Sequence, residues 1–153
     1  MAAAGTLHTD ESIVINCPLS QVFSYMTDPA RATEWVSSAE EYAMVSGSPD
    51  VPGSLAAVTT KVAGVKLHAT EEITAYEKNR TIGFHSTESR IPYERALDFT
   101  SDGDGATKVT YRLDAETGTG IFKFADAITQ KLYAHDVRGN LRNAKTILEA
   151  TNG

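Results

Sequence analysis

The sequence predicts a single α+β domain in which a seven-stranded antiparallel sheet curls around one long C-terminal helix. Three observations lead there. Gly120 to Leu148 is the only stretch long and periodic enough for a long helix. Its apolar residues recur at three- and four-residue steps through Ile121, Phe124, Ile128 and Leu132, then through Val137, Leu141, Ala144 and Leu148. Almost everything before it reads as strand and turn. A lone amphipathic helix cannot bury its stripe, so this one must lie on the sheet. Its other side carries Lys131, Arg138, Arg142 and Lys145, the pattern of a solvated face.

Taken in order, residues 1–6 are small, and a strand follows over Leu7 to Asn16, strongest at Ser12-Ile13-Val14-Ile15. Pro18 ends it, since proline donates nothing to a ladder, and it also suits the first turn of a helix. Val22, Phe23 and Met26 then fall at helical spacing. Thr27-Asp28-Pro29 is a break and a restart, with Asp28 as helix cap and Pro29 as first helical residue. The second short helix ends near Trp35. Both helices are too short to stand alone and must dock on the sheet. Period-two strands follow over Glu41–Ser46, Ser54–Ala63, Val65–Tyr76, Thr81–Ser86, Tyr93–Thr100 and Thr107–Glu116. Turn chemistry separates them: Gly47-Ser48-Pro49-Asp50 with Pro52-Gly53, then Gly64, Glu77-Lys78-Asn79-Arg80, Ile91-Pro92 and Ser101-Asp102-Gly103-Asp104-Gly105. Short turns between consecutive strands imply a meander. Gly118 to Gly120 is the hinge into the long helix.

Alternation gives the sheet two sides. Leu67, Ala69, Glu71 and Ile73 share one face, as do Ile82, Phe84 and Ser86. Tyr93, Arg95, Leu97 and Phe99 follow the same rule, and so do Val109, Tyr111 and Leu113. These sets should face the long helix.

At 153 residues the chain has the size of one domain, its core spanning about residues 7–149. Hydrophobic residues at 41% and charged residues at 22% are ordinary for a globular protein. A net charge of −6 argues against nucleic acid and against an anionic membrane, both of which need a basic surface. The single cysteine, Cys17, excludes an internal disulfide and a cysteine-rich zinc site. The N-terminus lacks the basic-then-apolar pattern of a signal peptide, and no stretch approaches the ~20 apolar residues of a membrane span. The expected location is the reducing cytoplasm, with no integral membrane association.

The order of strand, two short helices, six strands and long helix is the helix-grip arrangement, and the chain resembles the START-like superfamily. Within it, the chain is similar to the SRPBCC or polyketide cyclase/dehydrase group. The residues that carry the resemblance are Ile13-Val14-Ile15-Asn16-Cys17-Pro18, Val22-Phe23-Ser24-Tyr25, Thr27-Asp28-Pro29, Arg31 and Glu34-Trp35. Later markers are Gly53, Gly64, Ile73-Thr74-Ala75-Tyr76, Arg80, Pro92-Tyr93-Glu94 and Gly105-Ala106-Thr107-Lys108-Val109-Thr110-Tyr111. The resemblance covers Glu11 to Leu148, and its markers are caps, turns and core positions, so they specify the fold far better than the function. The resemblance implies a cavity between sheet and helix.

Arg95 and Glu71 stand out because alternation turns both inward, and a buried charge is costly unless paired. Two readings compete: a polar anchor inside an apolar cavity, or a structural ion pair or strand irregularity. Tyr93 and Tyr111 lie on the same face, as pocket hydroxyls or as plain core tyrosines. Trp35 either stacks on a ligand or anchors the short helices. His135 continues the Ile128–Leu132 face, and the resemblance makes the middle of that helix a cavity wall. The alternative is a partly exposed helix histidine near Gly139. His8, His68, His85 and His135 have no metal-ligand spacing.

The resulting expectation is a protein that binds a small hydrophobic or amphipathic molecule of lipid, polyketide or isoprenoid type. The pocket would be walled by Trp35, Glu71, Phe84, Tyr93, Arg95, Tyr111, Ile128, Leu132 and His135. No cofactor or metal is implied, and the chain is expected to act as a monomer or homodimer. A cyclase/dehydratase-type enzyme is the alternative, with Arg95, Tyr93 or His135 polarising a carbonyl or moving a proton. The third reading is an interaction module like the chaperone-activator branch of the fold, which requires an exposed apolar patch.

Overall fold

Strand β1 (Thr6–Ile15) stops short of Pro18, whose extended backbone opens helix α1 (Leu19–Met26). A computed structural model describes the chain over residues 6–62, 64–89, 91–116 and 127–152, with the side chains at 6, 62, 127–133 and 152 outside that description. Helix α1 buries Val22, Phe23 and Met26, the three residues at helical spacing. The Asp28 carboxylate accepts the Ala30 N–H at 3.0 Å and caps a 3-10 turn over Pro29–Arg31, which runs on into helix α2 (Ala32–Trp35). Six strands follow: β2 (Ala39–Ser46), β3 (Leu55–Val62), β4 (Val65–Glu77), β5 (Thr81–Glu88), β6 (Tyr93–Ser101) and β7 (Thr107–Glu116). The long helix α3 is described over Ala127–Asn152. The expected hinge at Gly118–Gly120, and Ile121 and Phe124, lie outside the described residues.

The strands form one antiparallel sheet in the order β1-β7-β6-β5-β4-β3-β2. Every neighbour is a sequence neighbour except β1, which pairs with β7 at the far end of the meander. Register shifts fall between Ala39 and Glu41 and between Met44 and Ser46 in β2. Two more fall between Thr70 and Glu71 and between Ile73 and Ala75 in β4. Such irregularities bend a strand and re-aim its side chains. The β2–β3 connection depends on Gly47, whose φ is 75°. A Cβ there would collide with Ser54 Oγ, which accepts the Ser48 N–H at 2.9 Å.

The inward sets predicted by alternation make the core. Ile73, Ile82, Phe84, Leu97, Phe99 and Val109 of the sheet pack with Val22 and Phe23 of α1, Trp35 of α2, and Val137, Leu141, Ala144 and Leu148 of α3. Phe23 sits edge-on to Phe99 at 5.0 Å and to Tyr76 at 5.6 Å. Helix α3 is tied to β1 and the segment after it by polar contacts. Lys145 Nζ donates to the Val14 carbonyl at 2.8 Å, and the Asn16 N–H donates to Glu149 at 2.8 Å. Cys17 is buried, with its thiol 3.4 Å from the Leu148 carbonyl. Burial, with Glu149 adding to it, pushes that thiol's pKa up, as suits an inert core cysteine.

Candidate functional site

Sheet, α2 and α3 do not close completely. Between them lies a cavity of about 200 Å³. Most of its wall is apolar, including Val58, Leu67, Ile82, Phe84, Leu97 and Val137. Its polar part is a cluster built across four strands. Tyr42 of β2, Val58 of β3 and Ala69 of β4 stand opposite one another in register, and Glu71 follows Ala69 on the same face of β4. Arg95 of β6 stands directly opposite Phe84 of β5, and its guanidinium lies 4.0 Å from that ring's centre.

Glu71 is 1% exposed and Arg95 16% exposed. Glu71 Oε1 accepts the Tyr93 hydroxyl at 2.6 Å and Arg95 Nε at 3.1 Å. Its Oε2 accepts the Tyr42 hydroxyl at 2.6 Å and Arg95 Nη2 at 2.5 Å. A carboxylate has about four lone-pair sites, so this one is filled. Burial would raise the Glu71 pKa, but the Arg95 charge and the Arg95, Tyr42 and Tyr93 donors outweigh it and bring the net shift below the ordinary value. Burial likewise opposes the charge on Arg95, and Glu71 reverses the balance, so the guanidinium stays protonated. Burial raises the pKa of Tyr42, Tyr93 and Tyr111, with Glu71 adding to it and Arg95 opposing. All three phenols therefore keep their protons near neutral pH.

The arrangement can hold a polar atom of an otherwise apolar guest. An arginine has five N–H donors. Two go to Glu71. The other three are shared among Tyr42 and Tyr111, whose phenols both respond to the guanidinium, and a molecule in the cavity that Arg95 lines.

Six of the expected wall residues are brought together here: Trp35, Glu71, Phe84, Tyr93, Arg95 and Tyr111 all line the cavity. Glu71 and Arg95 form an ion pair that is itself part of the cavity wall. Trp35 is 2% exposed and anchors α2 to α3, its carbonyl accepting Asn143 Nδ2 at 3.1 Å. Its indole Nε1 has no hydrogen-bond partner among the described residues. The side chains of Ile128 and Leu132 lie outside the described residues. His135 is a correction: it is exposed and is not in the described cavity wall. The buried stripe passes through Val137 and Leu141, and a residue two positions before Val137 points about 200° away from it. Asp136, Val137 and Asn140 supply the α3 wall instead. Asn140 is held there by Ser37, whose N–H and hydroxyl both donate to its Oδ1, at 3.0 and 3.1 Å.

Tyr42 was not expected. The only sequence signal for it is the Tyr42–Met44 alternation in a short strand, which gives no hint of a buried carboxylate two strands away. His68 and His85 turn outward, toward Thr59 at 3.1 Å and Glu72 at 3.2 Å.

The sequence matches the family described as polyketide cyclase / dehydrase and lipid transport over residues 6–149. No curated protein sequence matches significantly. Solved structures share the fold at low identity. A protein from Thermus thermophilus is 19% identical, with a TM-score of 0.81 over 95% of this chain and 99% of its own. A START superfamily protein from Mycobacterium smegmatis is 12% identical, with a TM-score of 0.81 over 94% of this chain and 98% of its own. The Zhui aromatase/cyclase from a Streptomyces species is 12% identical, with a TM-score of 0.79 over 94% of each chain. With its helix-grip topology, its cavity between sheet and helix, and a match along nearly its whole length, the chain belongs to the polyketide cyclase / dehydrase and lipid transport family.

Proposed function

We propose that the protein binds a small hydrophobic or amphipathic molecule in the cavity between sheet and α3, with Arg95 and its phenol neighbours anchoring one polar atom of the guest. The observation that carries this reading is the apolar cavity of about 200 Å³ with one ordered polar cluster in its wall. An apolar protein cavity of ~150 Å³ already takes up benzene, so a ring-sized guest has room. Convergent polar groups in a mostly apolar pocket are the usual make-up of a small-molecule site.

The cyclase/dehydratase reading draws support from the same place. N–H groups of a fixed guanidinium in a water-poor wall are suited to polarising a carbonyl. A base is harder to supply from this cluster, because Glu71 is filled and the phenols are pushed up. The interaction-module reading has less behind it. Among the described residues the exposed large hydrophobics are Val14, Val45 and Val51. Val14 lies on β1 and Val45 on β2, at opposite edges of the sheet.

The test is native mass spectrometry of the purified protein, then organic extraction, with titration of an apolar fluorescent dye in parallel. A bound apolar molecule at one per chain, or saturable dye binding, is the expected result. A bare mass together with no dye binding would overturn the binding reading.

A further inference from the structure

The polar atoms of the cavity wall are unevenly occupied, and the imbalance selects among guests. Glu71, buried at 1% exposure, already holds four donors. Arg95 keeps N–H groups that Glu71 does not take. Around the pair a guest therefore meets Arg95 N–H groups and phenol hydroxyls, and no carboxylate oxygen that is still open.

Charge narrows the choice. Among the described residues that line the cavity, the carboxylates are Asp28, Glu71 and Asp136, and the only strong cation is Arg95. Glu71 cancels Arg95 at 2.5 Å, so the pair is neutral as a unit. Asp28 and Asp136 then face an incoming anion, on a chain whose net charge is −6. A carboxylate guest would lose its hydration without meeting a net positive field. An ammonium guest would be drawn to Asp28 and Asp136 but refused by Glu71, which has no acceptor site left.

We propose that the cavity selects uncharged molecules carrying a hydrogen-bond acceptor, with aryl ketones, quinones and lactones as the chemical class, and discriminates against carboxylates and amines of the same shape. This rests on the binding reading above.

The test is a matched set of four bicyclic probes: 2-acetylnaphthalene, 2-naphthoate, 2-naphthylmethylamine and 2-ethylnaphthalene. Each is titrated into the full chain by calorimetry at neutral pH. Trp35 is the only tryptophan, so its single indole N–H signal in a ¹⁵N correlation spectrum reports whether a probe has entered the cavity. The ketone should bind at least tenfold more tightly than the carboxylate and the amine and several-fold more tightly than the ethyl compound, and its entry should displace the indole signal. In Asp136→Asn the ketone-over-carboxylate ratio should narrow several-fold. If the carboxylate or the amine matches the ketone, the charge argument falls while binding itself stands. If the ethyl compound matches it, the donor argument falls. If no probe binds and the indole signal stays in place, the binding reading fails and takes this inference with it.

Discussion

Removing the Arg95 guanidinium alone would leave the Glu71 carboxylate buried against two phenols with no opposing charge. Breaking a buried pair from one side typically costs ~3–5 kcal/mol, whereas replacing both partners by apolar groups is often neutral. Arg95→Met should therefore lower the urea midpoint steeply, and Glu71→Leu with Arg95→Met should recover most of the loss. Equal losses in the single and double variants would contradict the pairing. Tyr42→Phe should cost less, about 1.5–3 kcal/mol, the range for a hydrogen bond to a charged group. The acid limb of stability belongs to this scale too. The folded pKa of Glu71 lies below its ordinary value of 4.5, so its stabilising contribution is complete above that value and is lost as pH falls through the folded value. Denaturation midpoints should fall from about pH 4.5 downward. In Glu71→Gln the fall over that range should be shallower than in the wild type. Asp136 works the other way: burial raises its pKa against the pull of His135, so it takes up its proton earlier on acidification.

The strands were legible in the sequence because a half-buried strand writes its inside face in every second residue. Glu71 and Arg95 broke an apolar alternation, and that break was enough to find them. Tyr42 was not legible for two reasons. Strand β2 is an edge strand with two register shifts, which blur its alternation. The partner of a buried carboxylate is also set by cross-strand register, which no single strand's pattern contains. The helix misleads in a different way. Extending the Ile128–Leu132 steps places His135 on the inner face, although the phase set by Val137, Leu141, Ala144 and Leu148 already turns position 135 outward. Gly139 lies in the same stretch of α3. A Cβ there meets nothing within 4 Å among the described residues, so no close packing within them accounts for the glycine. Gly139→Ala should raise stability by about 0.5–1 kcal/mol through helix propensity, read as a higher thermal midpoint. A loss instead would mean that the helix is bent there on purpose.

At the scale of the whole molecule, the cavity and the fold's stability are linked. A guest that binds only the folded state adds RT ln(1 + [L]/Kd), about 2.7 kcal/mol at a hundredfold excess over Kd. For a domain of this size that corresponds to a thermal midpoint rise of very roughly 5–10 °C, which a screen of acceptor-bearing aromatics should reveal. The family and the fold were both accessible from element order and caps, because those follow from local chemistry. The guest was not, because a cavity is the space that side chains leave, and its volume depends on every register at once. The pairing of β1 with β7 has a consequence in time. His8 meets Asp114 across 106 positions of chain. At a ribosomal rate of ~5–20 residues per second, β1 emerges some five to twenty seconds before the strand that covers its edge. Through that interval its ladder groups are open to pairing with another nascent chain. The last step of sheet assembly is also its most distant contact, so folding should be slow for the protein's size, and the yield of folded protein should fall as synthesis becomes crowded.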